Sequence, residues 1–311
     1  MNALVTGGAG FIGSHFVDLL LADGHHVTVL DALTYAGHRD NLARHDGEER
    51  FHFVEGAIED RDTVDPLVAE AEVVFNFAAE SFVDRSIDDS RPFATTNVVG
   101  ALTILDACRR HGARLVQVST DEVYGSIRDG AFTEQSPMAP NNPYSATKAG
   151  ADLLCRSFRQ TYDMDIRTFR GPNAYGPRQH PEKAIPVFTA AALAGEPLPV
   201  YGDGSNRREW LYVGDFARAV LTVGESGEPG EVYNGGGGHE VSNLELARTI
   251  CSLAGADDAL VTFVPDRPGH DFRYSMAWDR LRSLGWKPEV TFEDGIGRTV
   301  EWFREHPERR T

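Results

Sequence analysis

The sequence predicts an α/β protein with a doubly wound parallel sheet and a smaller C-terminal α/β substrate-binding lobe. Over roughly the first 171 residues, short apolar runs alternate with longer helical patterns. Beyond that point, segments rich in glycine and proline replace the alternation. We therefore expect a first domain over residues 1–171, to which some later segments return, and a lobe formed mainly by residues 172–311.

Six apolar segments of the first half are predicted as strands, namely 2–6, 26–30, 51–55, 72–77, 114–119 and 165–170. Helical patterns lie near 12–23, 60–70, 93–112 and 143–162. Strands that are apolar throughout and separated by helices form a parallel sheet that is covered on both faces. Its ligand crevice is expected at the carboxyl ends of the strands.

The second half is predicted to be less regular. Residues 171–183 and 195–210 are rich in glycine, proline and polar side chains, so we expect irregular loops there. Helical patterns return near 182–194, 214–224, 242–254 and 293–304.

Composition and charge limit the classes of partner. The 47 acidic and 30 basic residues give a formal net charge of −17, which argues against broad binding of nucleic acid or of a membrane surface. No apolar run reaches the ~20 residues that span a bilayer, and the N-terminus lacks the basic start of a secretory signal. Three well-separated cysteines suit reduced thiols in the cytoplasm better than disulfides or a metal site, so no metal is expected.

A glycine-rich turn follows the first predicted strand. VTGGAGFIGSH places Gly7, Gly10 and Gly13 before a helix, where small residues let the backbone approach a pyrophosphate. Asp31 ends the second strand, where a carboxylate accepts hydrogen bonds from an adenosine ribose and repels a 2′-phosphate. The pattern predicts a Rossmann domain that binds NAD rather than NADP. A glycine turn without a ligand is the alternative.

Three polar side chains follow the fifth predicted strand. In VSTDEVYG, residues 118–125, Thr120, Asp121 and Glu122 come directly after an apolar run. Burying unpaired carboxylates costs several kcal/mol, so their place at a strand end indicates the substrate crevice. The structural alternative is a strand-end cap or a salt-bridge pair.

A tyrosine and a lysine lie four residues apart on a predicted helix. In PYSATKAG, Tyr144 and Lys148 project from one face. A nearby ammonium stabilises phenolate and lowers a tyrosine pKa from about 10. Such a tyrosine can act as a base towards a sugar or alcohol hydroxyl.

Together these motifs resemble the extended short-chain dehydrogenase/reductases, and specifically the nucleoside-diphosphate-glucose 4,6-dehydratases of the dTDP-glucose type. The resemblance extends over nearly the whole chain, through VTGGAGFIGSH, FAAESFVDRSI, STDEVYG, PYSATKAG, YGPRQHPEK, LPVYGDG, REWLYVGDF and DRPGHDFRY. STDEVYG is the specific phrase, because sister epimerases generally lack the adjacent Asp-Glu pair and the sugar-nucleotide decarboxylases typically keep an acid only at the second position.

The resemblance implies an NAD-dependent lyase reaction in three steps. Tyr144, helped by Thr120 and Lys148, would remove the C4 hydroxyl proton while hydride passes to NAD⁺. Glu122 would then take the C5 proton while Asp121 protonates the departing C6 hydroxyl. Return of the hydride to C6 gives a 4-keto-6-deoxy sugar.

The resemblance also implies the remaining site residues. The expected cofactor site adds to the motifs above the residues Phe11, Ile12, Ile58, Ala78, Ala79, Asn97 and Ser119. The expected substrate site comprises Ser81, Asn173, Glu182, Lys183, Arg208, Asn234, Arg267, His270 and Tyr274. Arg208 and Arg267 are assigned to the diphosphate because guanidinium groups pair well with phosphate oxygens, although each could be a surface residue. His270 fits a structural histidine equally well.

Four positions depart from the family pattern. Ala57 replaces an aspartate that holds the adenine amine, Phe82 a histidine, Ala174 an asparagine and Asn142 a serine. The changes surround the site and leave the acid and base residues in place. They leave open another nucleotide, an amino sugar or a 5,6-unsaturated product.

Two other functions remain open at this point. A C4-epimerase or decarboxylase could share the scaffold, but the Asp121–Glu122 pair argues against both. A catalytically silent NAD-binding regulator would tolerate loss of Tyr144 or Lys148, and both are present. The resemblance further implies a homodimer that pairs through the helices near 93–112 and 143–162.

Overall fold

The first half of the chain folds into the predicted parallel sheet. The computed structural model describes residues 1–266 and 269–310. Within them the strands are β1 (Asn2–Thr6), β2 (His26–Asp31), β3 (Phe51–Glu55), β4 (Val73–Asn76), β5 (Arg114–Thr120), β6 (Ile166–Gly171), β7 (Asn173–Tyr175), β8 (Leu198–Tyr201), β9 (Arg207–Tyr212), β10 (Val232–Asn234), β11 (His239–Ser242) and β12 (Val261–Val264).

The helices lie mostly between these strands. They are α1 (Phe11–Ala22), α2 (Arg61–Ala69), α3 (Val83–Asp88), α4 (Arg91–Phe93), α5 (Ala101–His111), α6 (Pro143–Tyr162), α7 (Ala184–Ala194), α8 (Val213–Ser226), α9 (Asn243–Ala254), α10 (Asp279–Ser283) and α11 (Phe292–Glu305). No helix in these residues is long and apolar enough to cross a bilayer.

The main sheet has seven parallel strands in the order β10-β6-β5-β4-β1-β2-β3. The order reverses between β1 and β4, which is where a doubly wound sheet binds its ligand. The doubly wound prediction is confirmed. β10 comes from the second half of the chain, so a later segment does return to the first sheet. The division at residue 171 stays a proposal.

Two hydrophobic cores cover the sheet, one on each face. On one side α1 and α8 bury Phe16, Leu20 and Val220 against the strands. On the other side α2, α5 and α6 bury a second set that includes Ile104 and Cys155. All three cysteines are buried and free of disulfides. The helices thus cover the apolar side chains of the strands on both faces of the sheet, as a parallel sheet requires.

A separate core holds the C-terminal elements together. It lies among α7, α9 and α11 and the small strands, and it includes Phe188, Trp210 and Ile296. The strands form a sheet in the order β11-β9-β7 and a parallel pair of β8 with β12. The prediction of irregular loops over 171–183 and 195–210 is therefore wrong in part, because β7, β8 and β9 lie there. These strands have three to six residues and pair with distant segments, so they show little periodicity of their own.

The helix predicted near 93–112 is interrupted. α4 and α5 are joined by a π-helical segment over Ala94–Gly100. The later helices match the sequence prediction to about two residues at each end, within the usual uncertainty of helix boundaries.

Candidate active site

A cavity of about 540 Å³ opens at the carboxyl ends of the main sheet, a size typical of small-molecule sites. Residues from both halves of the chain line it. Of the predicted site residues, those that line it are Gly7, Gly10, Phe11, Ile12, Gly13, Asp31, Ile58, Ala78, Ala79, Ser81, Ser119, Thr120, Asp121, Glu122, Tyr144, Lys148, Asn173, Glu182, Lys183, Arg208 and His270.

The glycine turn forms a tight cradle at the start of α1. Gly7 has φ +69°, and a Cβ atom on it would lie 2.6 Å from the backbone nitrogen of Ala78. A Cβ on Gly13 would lie 2.2 Å from the carbonyl oxygen of Gly7. Gly10 is the N-cap residue of α1 and has no side chain that could accept hydrogen bonds from the first amides. The first turn of α1 contains no acidic residue. The first amides of α1 therefore lie at the cavity with no negative side chain against them, which suits a pyrophosphate.

Asp31 ends β2 beside this turn. Its carboxylate accepts hydrogen bonds from the backbone N–H groups of Ala9, at 2.8 Å, and Leu33, at 2.9 Å. Burial raises the pKa of Asp31, although these amides and others counteract it. The carboxylate is fixed at the cavity wall, where its remaining lone pairs can accept ribose hydroxyls.

Two of the residues that line the cavity also carry buried polar side-chain atoms. Ser119 Oγ and Asn173 Nδ2 have no hydrogen-bond partner among the described residues. Buried polar atoms in native proteins are normally paired. Together with the glycine cradle, they show that the residues present fit a dinucleotide and a polar ligand beside it.

Asn97 acts one layer behind this wall. It is buried, lies on the π-helical segment and is not among the cavity-lining residues. Its Nδ2 donates to the Glu80 carbonyl and to Thr147 Oγ1, and its Oδ1 accepts from the Glu80 N–H. Asn97 therefore holds the segment after β4 in place. A direct cofactor contact by Asn97 remains a prediction.

The acidic pair lies on a short 3₁₀ turn directly after β5. Thr120 Oγ1 donates to Asp121 Oδ1 at 3.0 Å, and the Glu122 N–H donates to Thr120 Oγ1 at 3.3 Å. Asp121 is only 3% exposed. Burial, and then the charge of Glu122, raise the pKa of Asp121 to about 8. The side chain is thus a protonated acid at neutral pH, next to a second carboxyl group.

Tyr144 and Lys148 approach the same place from the first turns of α6. Both are buried and line the cavity. Burial, followed by the Glu122 charge, raises the pKa of Tyr144, while a hydrogen bond with Thr120 opposes the rise. Lys148 Nζ donates to the Val118 carbonyl oxygen at 2.7 Å, which fixes the ammonium against β5. Burial lowers the pKa of Lys148 to about 8, and the charge of Asp152 counteracts it.

The C-terminal lobe supplies the facing wall. Arg208 is buried and donates to the carbonyl oxygens of Arg207, Asp271 and Phe272. Its guanidinium also lies 4.5 Å from the ring centre of Tyr274. These contacts orient a cation at the cavity.

Two further charged residues of this wall touch the main domain. Lys183 Nζ donates to the Ser81 carbonyl oxygen at 2.8 Å. Glu182 forms an ion pair with Arg85 of α3. These two contacts join the segment before α7 to the segment after β4.

A model of the protein family described as "GDP-mannose 4,6 dehydratase" matches residues 4–299. The chain belongs to this dehydratase family. It is 55% identical over 305 residues to the low-salt glycan biosynthesis protein Agl12 of Haloferax volcanii, covering 97% of this chain and 98% of that one. It is 50% identical to a dTDP-glucose 4,6-dehydratase of Streptomyces niveus, with 98% and 94% covered. The crystal structure of DesIV, a dTDP-glucose 4,6-dehydratase from Streptomyces venezuelae with NAD and TYD bound, superposes with a TM-score of 0.97 at 49% identity, covering 99% and 98%.

Three residues predicted for the substrate site of this dehydratase family member need comment. Asn234 is fully buried; its side chain accepts from Tyr124 and donates to the carbonyls of Phe132 and Ala277, so the structure does not bring it to the cavity. The Tyr274 hydroxyl donates to Asp271, and Tyr274 is not among the cavity-lining residues either. Arg267 lies outside the described residues.

Other cavity-lining residues were missed by sequence reasoning. Asn243, at the start of α9, lines the cavity, as do Glu80 and Trp210. Asn243 follows a helix-capping serine in the pattern SNLE, and that pattern indicates only the start of a helix. Its nearness to the cavity depends on how α9 packs against the rest of the lobe.

The departures from the family pattern cluster in the same place. Ala57, Phe82 and Ala174 all line the cavity. Lys183 Nζ lies 5.3 Å from the ring centre of Phe82, within range of a cation–π interaction. Asn142 caps α6.

Proposed function

We propose that this protein is a dTDP-glucose 4,6-dehydratase that uses bound NAD⁺ to convert dTDP-glucose into dTDP-4-keto-6-deoxyglucose and water. One observation carries the proposal: the Asp121–Glu122 pair, of which Asp121 is buried, lines the same cavity as Thr120, Tyr144 and Lys148 at the end of β5. The dTDP-glucose dehydratases among the relatives, and DesIV with its bound NAD, support the nucleotide and the cofactor.

The cofactor fits the cradle described above. Gly7, Gly10 and Gly13 leave room for its pyrophosphate at α1, and Asp31 lies where an adenosine ribose would be held. A bound NAD⁺ would supply the reversible hydride chemistry that oxidation at C4 and reduction at C6 require. The carboxylate of Asp31 would disfavour a 2′-phosphate, so NAD is preferred to NADP.

Oxidation needs a group that accepts the C4 hydroxyl proton. Tyr144 is assigned this role, and Thr120 opposes the rise in its pKa. The expected lowering of the Tyr144 pKa is not what the structure gives, because burial raises it; in this role Lys148, one helical turn further along α6, would have to favour the phenolate against that burial with its positive charge. Its hydrogen bond to Val118 keeps that charge in place.

Elimination of water needs an acid and a base together. Glu122 removes the C5 proton, and the C5–H electron pair forms the C5–C6 double bond as the C6–O bond breaks. Asp121, protonated below about pH 8, gives its proton to the departing hydroxyl, which leaves as water. Glu122 then returns its proton to C5 when hydride reaches C6.

The reaction is tested with purified protein and dTDP-glucose. The expected product is a 4-keto-6-deoxy sugar nucleotide with no net formation of NADH, detected by the alkali-induced absorbance of the ketone and by mass. UDP-glucose, GDP-mannose and an N-acetyl sugar nucleotide serve as comparison substrates. C4 epimerisation, or no product from any glucose nucleotide, would contradict the proposal.

We also infer that two copies pair through α5 and α6. Val99, on the segment that leads into α5, and Leu153 and Tyr162, on α6, are 50%, 53% and 48% exposed. A homodimer would cover them. Leu153→Asp should then shift the mass measured by light scattering towards the monomer. A cytoplasmic location stays a prediction from the free cysteines.

A further inference from the structure

Asn142 lies between the helix that carries Tyr144 and the turn that carries Glu122. It is the N-cap of α6, two residues before Tyr144, and only 7% of it is exposed. Its Oδ1 accepts a hydrogen bond from the Ser145 N–H at 2.8 Å, and Ser145 Oγ interacts in return with the Asn142 N–H. This capping box fixes the start of α6 and the orientation of the carboxamide.

The orientation of the carboxamide determines what its other end does. Because Oδ1 accepts from a backbone N–H, the NH₂ group must lie on the opposite side. There Nδ2 donates to Glu122 Oε2 at 3.2 Å. One side chain therefore connects the start of the tyrosine-bearing helix with the turn after β5.

The groups around Glu122 determine how much a hydrogen-bond donor stabilises its carboxylate. Asp121 adjoins it on the same turn, Tyr144 faces it from α6, and Tyr274 faces it from the C-terminal lobe. The Glu122 charge raises the pKa of all three, so each stays in its neutral form beside a Glu122 carboxylate and none of the three supplies a positive charge to it. Arg208 is the cation that acts on Asp121 and Tyr274. A hydrogen bond donated to the ionised form of Glu122 favours that form.

We propose that Asn142 is a positioning residue for Glu122: its NH₂ group keeps the carboxylate ionised and turned for removal of the C5 proton. This inference rests on the proposed dehydratase function. It assigns Asn142 a part in elimination and none in the oxidation at C4, although the residue lies on the same helix as Tyr144.

Two substitutions separate the amide donor from the helix cap. Asn142→Ser and Asn142→Asp both keep an oxygen that accepts the Ser145 N–H, and both residues cap helices well. Serine lacks the NH₂ group that donates to Glu122. Aspartate puts a second carboxylate in its place, which disfavours the charged form of Glu122.

The expected effects concern the second step. Asn142→Ser should lower kcat about tenfold, as loss of a hydrogen bond to a charged group does, with KM within about twofold. On the acidic side of the pH profile, the activity of Asn142→Ser should begin to fall at a higher pH than that of the wild type. Without the amide donor, Glu122 is protonated more readily. Asn142→Asp should move that limb further. Single-turnover reduction of the bound cofactor should keep its wild-type rate in both variants, while exchange of the C5 proton with D₂O slows.

Asn141→Ser is the matched control. Asn141 precedes Asn142, and its Nδ2 donates to Asp271 Oδ1 at 2.6 Å instead of to Glu122. This variant should keep the wild-type acidic limb. Melting temperatures of all three variants check that α6 is still capped.

The outcomes distinguish this inference from the proposed function. Absence of a dehydrated product with the wild-type protein contradicts the proposed function itself. If the wild type is active, an unmoved acidic limb in both Asn142 variants overturns the positioning role. Equal loss of cofactor reduction and C5 exchange also overturns it, because that pattern would show a displaced α6.

Discussion

Thr120 Oγ1 donates a hydrogen bond to Asp121 Oδ1 at 3.0 Å, and Thr120 also lowers the pKa of Tyr144 against the burial that raises it. The tyrosine assigned to oxidation and the acid assigned to water release therefore share one neighbour. The dehydration needs such a connection, because the proton taken from the C4 hydroxyl is finally released in water. Passage of that proton from Tyr144 to Asp121 through Thr120 would restore both groups at the end of each cycle.

The shared hydroxyl gives the first prediction. Thr120→Val removes it at nearly constant shape and should lower kcat by about 10²-fold, since proton transfer by a positioned group contributes about that much. Thr120→Ser keeps the hydroxyl and should stay within about tenfold of wild type. Steady-state rates of ketone formation check this. Equal activity of the valine and serine variants would contradict a role for the hydroxyl.

Glu122→Gln separates oxidation from elimination. The amide keeps the size of the side chain but cannot take up the C5 proton, so elimination should fall by at least about 10²-fold. Single-turnover reduction of the bound cofactor should survive, and the reduced cofactor should accumulate. Stopped-flow absorbance measures the first step and product analysis the second. Equal loss of both steps would contradict the assignment of Glu122 to elimination.

Much of this site could be predicted from the sequence for a topological reason. The ends of parallel strands meet at one edge of a sheet. The glycine turn after β1, Asp31 after β2 and Thr120 after β5 therefore had to lie close together once the strands were recognised. Tyr144 and Lys148 followed because they are four residues apart in the helical pattern over 143–162, which places both on one face.

The rest depends on packing that local sequence does not encode. Asn234 and Asn243 are nine residues apart in the chain. Asn234 ends β10, and its side chain is hydrogen-bonded to Tyr124 and to the carbonyl oxygens of Phe132 and Ala277. Asn243, by contrast, lines the cavity. The pairing of β10 with β6 fixes the place of Asn234, and the packing of α9 fixes that of Asn243.

The glycine cradle gives a prediction about the cofactor. Gly13→Ala would place a methyl group 2.2 Å from the Gly7 carbonyl oxygen, a backbone atom that cannot move away cheaply. The turn should open, and affinity for NAD⁺ should fall by at least about tenfold, as loss of one charge-assisted hydrogen bond alone implies. Equilibrium titration with NAD⁺ measures this. Gly297→Ala in α11 is the control, because its Cβ would meet open space and should stabilise the helix by about 0.5–1 kcal/mol. Unchanged NAD⁺ affinity in Gly13→Ala would rule out the cradle.

The buried acid gives a prediction about stability. Asp121 has a folded-state pKa of about 8, above its ordinary value of 3.8. The folded protein therefore keeps a proton that the unfolded chain releases, so this residue lowers stability progressively as pH rises from about 4 to about 8. Asp121→Asn removes that penalty. One pKa unit corresponds to about 1.4 kcal/mol, and relaxation of buried sites reduces such penalties. The variant should gain on the order of 2 kcal/mol at pH 8 and almost nothing at pH 4, while product formation collapses.

Urea unfolding of both proteins at the two pH values measures the difference. Asp203→Asn is the control with the opposite sign, because hydrogen bonds with Ser205 lower the pKa of this exposed carboxylate. Its contribution stabilises the fold at pH 8 and is lost as pH falls through the folded-state pKa, so its amide variant should gain nothing at pH 8. If Asp121→Asn is no more stable than wild type at pH 8, the carboxyl group carries no burial penalty. Asp121 would then be ionised at neutral pH, and another group would have to protonate the C6 hydroxyl.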